Sequence, residues 1–234
     1  MLRACLYLLF FVPWTLFCTF FAMLSTSIDQ SGKTYHWLAL LWSKGCLLAA
    51  GIRLIVEGAE HLPHDRPLIF MGNHQSYFDI PVLFQATPLP FTWLAKEELF
   101  RIPVFGHSIR AAGYIPINRG NGRDSLKSLN RAAELVKAGR SVAIFPEGTF
   151  SGDGRLLPFK RGGFILAAMS GVPIAPFSIA GAMAVNPPDN LLHLRPGVIS
   201  IKFSPVIEID ADLARHPTVL MEKVRQAIAA GLEK

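Results

Sequence analysis

Two hundred and thirty-four residues suffice for one sizeable domain and an appendage, and 51% of them are hydrophobic, giving a mean hydropathy of +0.35. A net charge of +6 and a pI near 9.4 suit a chain held against anionic lipid, while the lack of basic clusters interleaved with aromatics argues against nucleic acid. The three cysteines, Cys5, Cys18 and Cys46, all fall early, so the rest of the chain offers no zinc site, disulfide frame or cysteine nucleophile.

From Ala4 to Leu24 the chain runs without a charge, which as a helix at roughly 1.5 Å per residue spans about 31 Å, the thickness of a bilayer core. This run exceeds a signal-peptide core and no A-x-A site follows it, so it is expected to be retained. A second apolar segment, His36 to Val56, carries Lys44 and Arg53. It either lies in the interface with these cations snorkelling or crosses obliquely as the second arm of a hairpin. Residues 1–56 thus read as an N-terminal membrane-associated helical hairpin, and 57–234 as an α/β domain. Arg3 and the amino terminus are positive, whereas Ser25 to Tyr35 holds one Asp29 and one Lys33; this balance places both chain exits on the cytoplasmic side.

Arg53 to Gly58 reads as a first strand and Pro67 to Met71 as a second. The second leads into Gly72-Asn73-His74-Gln75-Ser76-Tyr77-Phe78-Asp79, followed by a helix start at Ile80-Pro81-Val82. A histidine at a strand-to-helix turn with a carboxylate five residues on is a candidate base with its orienting partner. On one continuous helix the two side chains would point about 140° apart, so they meet only if His74 lies on the loop and Asp79 in the first helical turn. Ser76-x-x-Asp79 also resembles a capping box, in which Asp79 would merely stabilise a helix N-terminus. Pro81 favours a helix beginning at Asp79, because there it falls in the tolerant first turn.

Phe91 to Ala95 gives a third strand, then a short amphipathic helix from Lys96. Gly106-His107-Ser108-Ile109-Arg110 lacks the last glycine of a nucleophile elbow and has no strand before it. Gly113 to Gly120 reads as a strand ending in the cation Arg119, and Gly120-Asn121-Gly122 fails as a dinucleotide fingerprint because Ser125 stands where a third glycine belongs. Leu126, Leu129, Ala133 and Val136 fall at helical spacing, with Gly139 as the stop.

The buried strand Ser141 to Phe145 then runs into Pro146-Glu147-Gly148-Thr149, where a second carboxylate meets a strand end among glycines. Lys160 and Arg161 precede a helix opened by Gly162-Gly163, which is a place for a phosphate. Val172 to Ile179 reads as a strand whose prolines suggest an edge or a bulge. Further strands at Gly197 to Phe203 and Val206 to Ile209 precede a closing helix, Val219 to Leu232. The alternation implies a mixed, largely parallel sheet flanked by helices, with its site at the strands' carboxyl ends.

Four blocks in order, Asn73-His74-x4-Asp79, Gly113 to Arg119, Phe145-Pro146-Glu147-Gly148-Thr149 and Val172-Pro173-Ile174-Ala175-Pro176, make the chain resemble the glycerolipid acyltransferases, most closely the bacterial 1-acyl-sn-glycerol-3-phosphate acyltransferases. The resemblance runs from about residue 53 to 209. It implies that His74 and Asp79 are the catalytic pair and that Asn73, Arg119, Glu147, Gly148 and Thr149 shape a glycerophosphate site on a domain resting on the inner membrane. One departure stands out: the family often has Arg after Glu-Gly-Thr, where this chain has Phe150, so a phosphate contact is either missing or moved to Lys160 or Arg161.

The expected chemistry moves an acyl group from acyl-CoA or acyl carrier protein to a lysophosphatidate hydroxyl, with His74 as base, no acyl-enzyme, and neither metal nor cofactor. Two other classes stay open, namely a membrane-anchored hydrolase using the same pair on water and a non-catalytic lipid-binding protein.

Overall fold

The computed structural model describes residues 1–29, 33–117, 122–190 and 192–233. Two helices, α1 (Leu2–Ile28) and α2 (Lys33–Ala50), precede β1 (Ile52–Glu57), so the second apolar segment divides between a helix and the first strand of the sheet. There follow β2 (Ile69–Gly72), α3 (Asp79–Ala86), β3 (Phe91–Lys96), α4 (Phe105–Ala111), β4 (Ile115–Ile117), α5 (Gly122–Lys137) and β5 (Ser141–Ile144). The chain continues through α6 (Gly162–Ser170), β6 (Ile174–Ala180), α7 (Ala182–Val185), β7 (Gly197–Phe203), α8 (Ala211–Arg215) and α9 (Pro217–Leu232).

The strands form one sheet in the order β1-β7-β6-β2-β5-β3-β4. β6, β2, β5, β3 and β4 are mutually parallel, β7 runs antiparallel to β6, and β1 is parallel to β7. Both faces are covered, which is why β2 and β5 read as unbroken apolar runs rather than alternating ones. Leu68 and Phe70 point to one core with Phe78, Leu83, Phe91 and Trp93, whereas Ile69 and Met71 point to the other with Leu129, Val136, Phe164 and Val224.

Several expectations need correction. β6 is an interior strand, paired with β2 on one side and β7 on the other, not an edge. Pro176 is tolerated there because its carbonyl, and hence its missing N–H, faces the β7 side just beyond the last β7 pair, where Ser204 N donates to Pro176 O at 2.9 Å. Val206 to Ile209 is not a strand; after Pro205 only Ile207 makes a bridge, to Ile174. The helix expected after Lys96 is a 3-10 turn over Glu97–Arg101, and α4 follows it unforeseen. Leu126 of α5 is exposed, and the buried stripe is Leu129, Ala132, Ala133 and Val136.

The N-terminal helices are built into the domain. Ala4, Leu47 and Ala50 belong to the same core as Phe78 and Leu83, and Tyr7 packs on Phe78 with ring centroids 5.6 Å apart. Gln85 of α3 donates to Leu40 O at 2.8 Å and to Ser43 Oγ at 2.7 Å, while Arg3 reaches Ala50 O at 2.9 Å. Trp14 and Trp42 tie α1 to α2, each indole N–H finding a partner on the other helix. The opposite side of α1 exposes Leu6, Leu9, Phe10, Phe17, Phe20 and Leu24. Over Leu2–Ser25 this helix is long and apolar enough to cross a membrane.

Candidate active site

The parallel neighbours β2 and β5 end side by side, and the loops that leave them make the site. After Gly72, which has no room for a side chain beside the Phe177 ring, the chain turns through Asn73 to Phe78. α3 then begins at Asp79 with Pro81 in its first turn, as the proline register requires. His74 therefore sits on the loop and Asp79 at the helix start, and the two side chains meet: Nδ1 lies 2.8 Å from Asp79 Oδ2.

Asp79 is fully buried, and the same Oδ2 accepts the backbone N–H groups of Gln75 at 2.6 Å and Ser76 at 2.8 Å. The bond to Ser76 N is the one a capping box would make, but α3 begins at Asp79 with Phe78 at its N-cap and no side-chain cap, so this oxygen closes the turn and holds the imidazole without capping the helix. Because a carboxylate only accepts, the His74 proton sits on Nδ1, leaving the Nε2 lone pair free. Among the described residues Nε2 has no partner, and the His74 side chain is 13% exposed. This is the arrangement of an oriented general base.

The second loop braces the first. Glu147, 2% exposed, accepts His74 N at 2.9 Å through Oε1 and Leu157 N at 2.8 Å through Oε2. Burial pushes its carboxyl above the ordinary range, and the two amide donors pull it back. Ser151 N donates to His74 O at 2.8 Å, and Gln75 Nε2 to Gly154 O at 3.0 Å. The imidazole is stacked as well, parallel to Phe145 with centroids 3.8 Å apart and against Phe150 at 4.0 Å.

Of the residues assigned from sequence, Asn73 turns away from the cleft: its amide donates to Ile179 O at 2.8 Å and accepts Ile179 N at 2.7 Å, fastening the loop to β6. Glu147 is likewise occupied by backbone amides. Gly148 adopts φ +73°, and a side chain there would collide with Lys160, whose exposed ammonium thus borders the turn. Thr149 is exposed, and Arg161 is exposed immediately before α6, whose N-terminus opens at the same end of the sheet. Arg119 lies outside the described residues. Phe145, Ser151 and Gln75 were not singled out as site residues in the sequence; only the position of Phe150 was, and for an absent arginine.

With this geometry in place, comparison with known proteins is informative. A family model described as Acyltransferase matches residues 53–180, more than half of the chain, and the chain belongs to that family. It is 35% identical over 202 residues to the chloroplastic 1-acyl-sn-glycerol-3-phosphate acyltransferase BAT2 of Brassica napus, covering 86% of this chain and 56% of that one. It is 34% identical over 146 residues to the 1-acyl-sn-glycerol-3-phosphate acyltransferase of Borreliella burgdorferi, covering 61% of this chain and 58% of that one. The chain spans a little over half the length of these relatives. Its fold is shared with the crystal structure of the 1-acyl-sn-glycerophosphate (LPA) acyltransferase PlsC of Thermotoga maritima, with a TM-score of 0.83 at 24% identity, covering 99% of this chain and 95% of that one.

The double role of Glu147 generates a test. Glu147→Gln leaves one oxygen to serve two N–H donors and turns an amide NH2 toward the other, which costs about 1–3 kcal/mol. The melting temperature of the purified variant should fall together with its activity. An unchanged melting temperature would mean that the brace between the two loops is dispensable.

Proposed function

We propose that this protein transfers a fatty acyl group from an acyl thioester to the 2-hydroxyl of 1-acyl-sn-glycerol-3-phosphate, forming phosphatidate. The observation that carries the reading is the 2.8 Å bond between His74 Nδ1 and the buried Asp79, which leaves Nε2 free at the carboxyl end of β2. Family membership and the names of the relatives support the same reaction.

His74 Nε2 takes the hydroxyl proton as the oxygen attacks the thioester carbonyl. Asp79 stabilises the imidazolium, and collapse of the tetrahedral intermediate expels a thiolate that takes the proton back. The thiol is that of coenzyme A or of acyl carrier protein. Arg119, Lys160 and Arg161 are the cations proposed for the acceptor's phosphate, with the N-terminus of α6 behind Arg161 and the turn Gly148-Thr149 alongside. Asn73 and Glu147 act on this reading by fixing the loops. The exposed apolar side of α1 is proposed to lie in lipid, and the charge balance around it favours a site facing the cytoplasm at the inner membrane.

Incubating detergent-solubilised protein with lysophosphatidate and acyl-CoA, and in parallel with acyl carrier protein thioester, tests the reaction and its donor. Phosphatidate is expected, whereas free fatty acid would indicate a hydrolase and no product a lipid-binding protein. His74→Ala should lower the rate by about 10² to 10⁴ without unfolding the domain, and near-wild-type turnover would remove His74 from the mechanism.

In the same assay Arg119→Ala and Lys160→Ala should each raise KM for lysophosphatidate. If the wild type acylates lysophosphatidylcholine faster and neither variant alters that preference, the phosphate site is wrong. Alkaline carbonate should leave the full-length protein in the membrane pellet, and recovery in the supernatant would contradict insertion of α1.

A further inference from the structure

Both faces of the His74 ring are covered. Phe145 lies against it at an interplanar angle of 1° and a centroid distance of 3.8 Å, and Phe150 at 38° and 4.0 Å. Two rings that close to one centroid cannot share a face without overlapping, so they take opposite faces. Phe145 is backed by Trp93, 5.1 Å away, within the core. Phe150 is backed by Tyr77, 4.7 Å away, which is itself half exposed. One wall of the sandwich, just past the end of β5, is therefore backed by the core, and the other is a pair of rings at the surface.

With Asp79 on the Nδ1 edge, only the Nε2 edge remains for a reacting atom. Rotation of the imidazole about its ring torsion, which would break the bond to Asp79, has to displace one of the two phenyl rings. The faces also act electrostatically: an aromatic face attracts a cation more strongly than a neutral ring, so it favours the imidazolium over the imidazole. The base is cationic only once it has taken the proton.

We propose that Phe150 is a positioning residue for the base: its ring closes the second face of His74, keeps the imidazole on Asp79, and favours the protonated ring that forms during acyl transfer. This rests on the reading of His74 as the base. The position after Glu147-Gly148-Thr149 thus serves the histidine here instead of the acceptor's phosphate.

Phe150→Leu keeps an apolar side chain over the imidazole but removes the aromatic face, whereas Phe150→Tyr keeps the face. The leucine variant should lose about tenfold in kcat with KM for lysophosphatidate changed by less than about twofold, and the tyrosine variant should stay close to wild type. The pH dependence carries a sign. Among the described residues, the titratable and charged groups near the imidazole are Asp79 from α3, Glu147 from the loop after β5, the Tyr77 phenol beyond Phe150 and Lys160 beyond Gly148, and both variants leave all of them in place. Loss of the aromatic face makes the imidazolium less favourable, so the acidic limb of the kcat/KM profile should move to lower pH in Phe150→Leu.

The imidazole Cε1–H signal, followed by NMR through a pH titration in detergent, should show the same downward displacement without any substrate. If wild type transfers no acyl group to lysophosphatidate, the activity reading fails and the NMR titration still decides the clamp. Wild-type kcat with an unmoved acidic limb in Phe150→Leu would overturn the proposal. So would equal losses in the leucine and tyrosine variants, or a KM effect with kcat intact, which would make Phe150 a contact of the acceptor.

Discussion

At the carboxyl end of β2, one oxygen of a fully buried carboxylate accepts three N–H groups: the His74 imidazole and the backbone amides of Gln75 and Ser76. A carboxylate without solvent is costly unless donors surround it, and these three come from the five residues just before it. All three donors converge on Oδ2, while Oδ1 is buried without a partner among the described residues, so gathering donors on Oδ2 shapes the turn, and the turn sets where the imidazole points. The tautomer of His74 and the direction of Nε2 both follow from the same oxygen.

That local device was legible in the sequence because its logic is short range. Helical rotation means that His74 and Asp79 can meet only if they do not share one continuous helix, and Pro81 favours a helix that begins at Asp79; the structure has both features. The parallel sheet was legible for a similar reason, since strands buried on both faces read as unbroken apolar runs. What could not be read was long range. Nothing in the spacing says that Glu147 will spend both oxygens on amides at His74 and Leu157, or that the amide of Asn73 will span to Ile179. Residue type suggested that these polar groups face a ligand; the need to satisfy buried backbone turned them inward. β6 was read as an edge or bulge because its prolines were weighed without knowing that the missing N–H of Pro176 would face β7 just beyond the last pair of the two strands.

The site is thus two loops from adjacent parallel strands, each braced against the other. The turn after β2 lends His74 N and O to Glu147 and Ser151, and the loop after β5 lends Phe145 and Phe150 to the imidazole. Around this pair the molecule divides its labour. The core that includes Leu129, Phe164 and Val224 closes the far face of the sheet, while the near face is closed by α3 and the N-terminal helices.

Tyr7 rests on Phe78, and Phe78 is the residue before Asp79. The long helix that carries Tyr7 shows an apolar flank to its surroundings, and only this pair of rings separates it from the first turn of α3. On the proposed reading those surroundings are acyl chains, so the helix seated in lipid also packs, through the Tyr7–Phe78 pair, on the turn that aims the base.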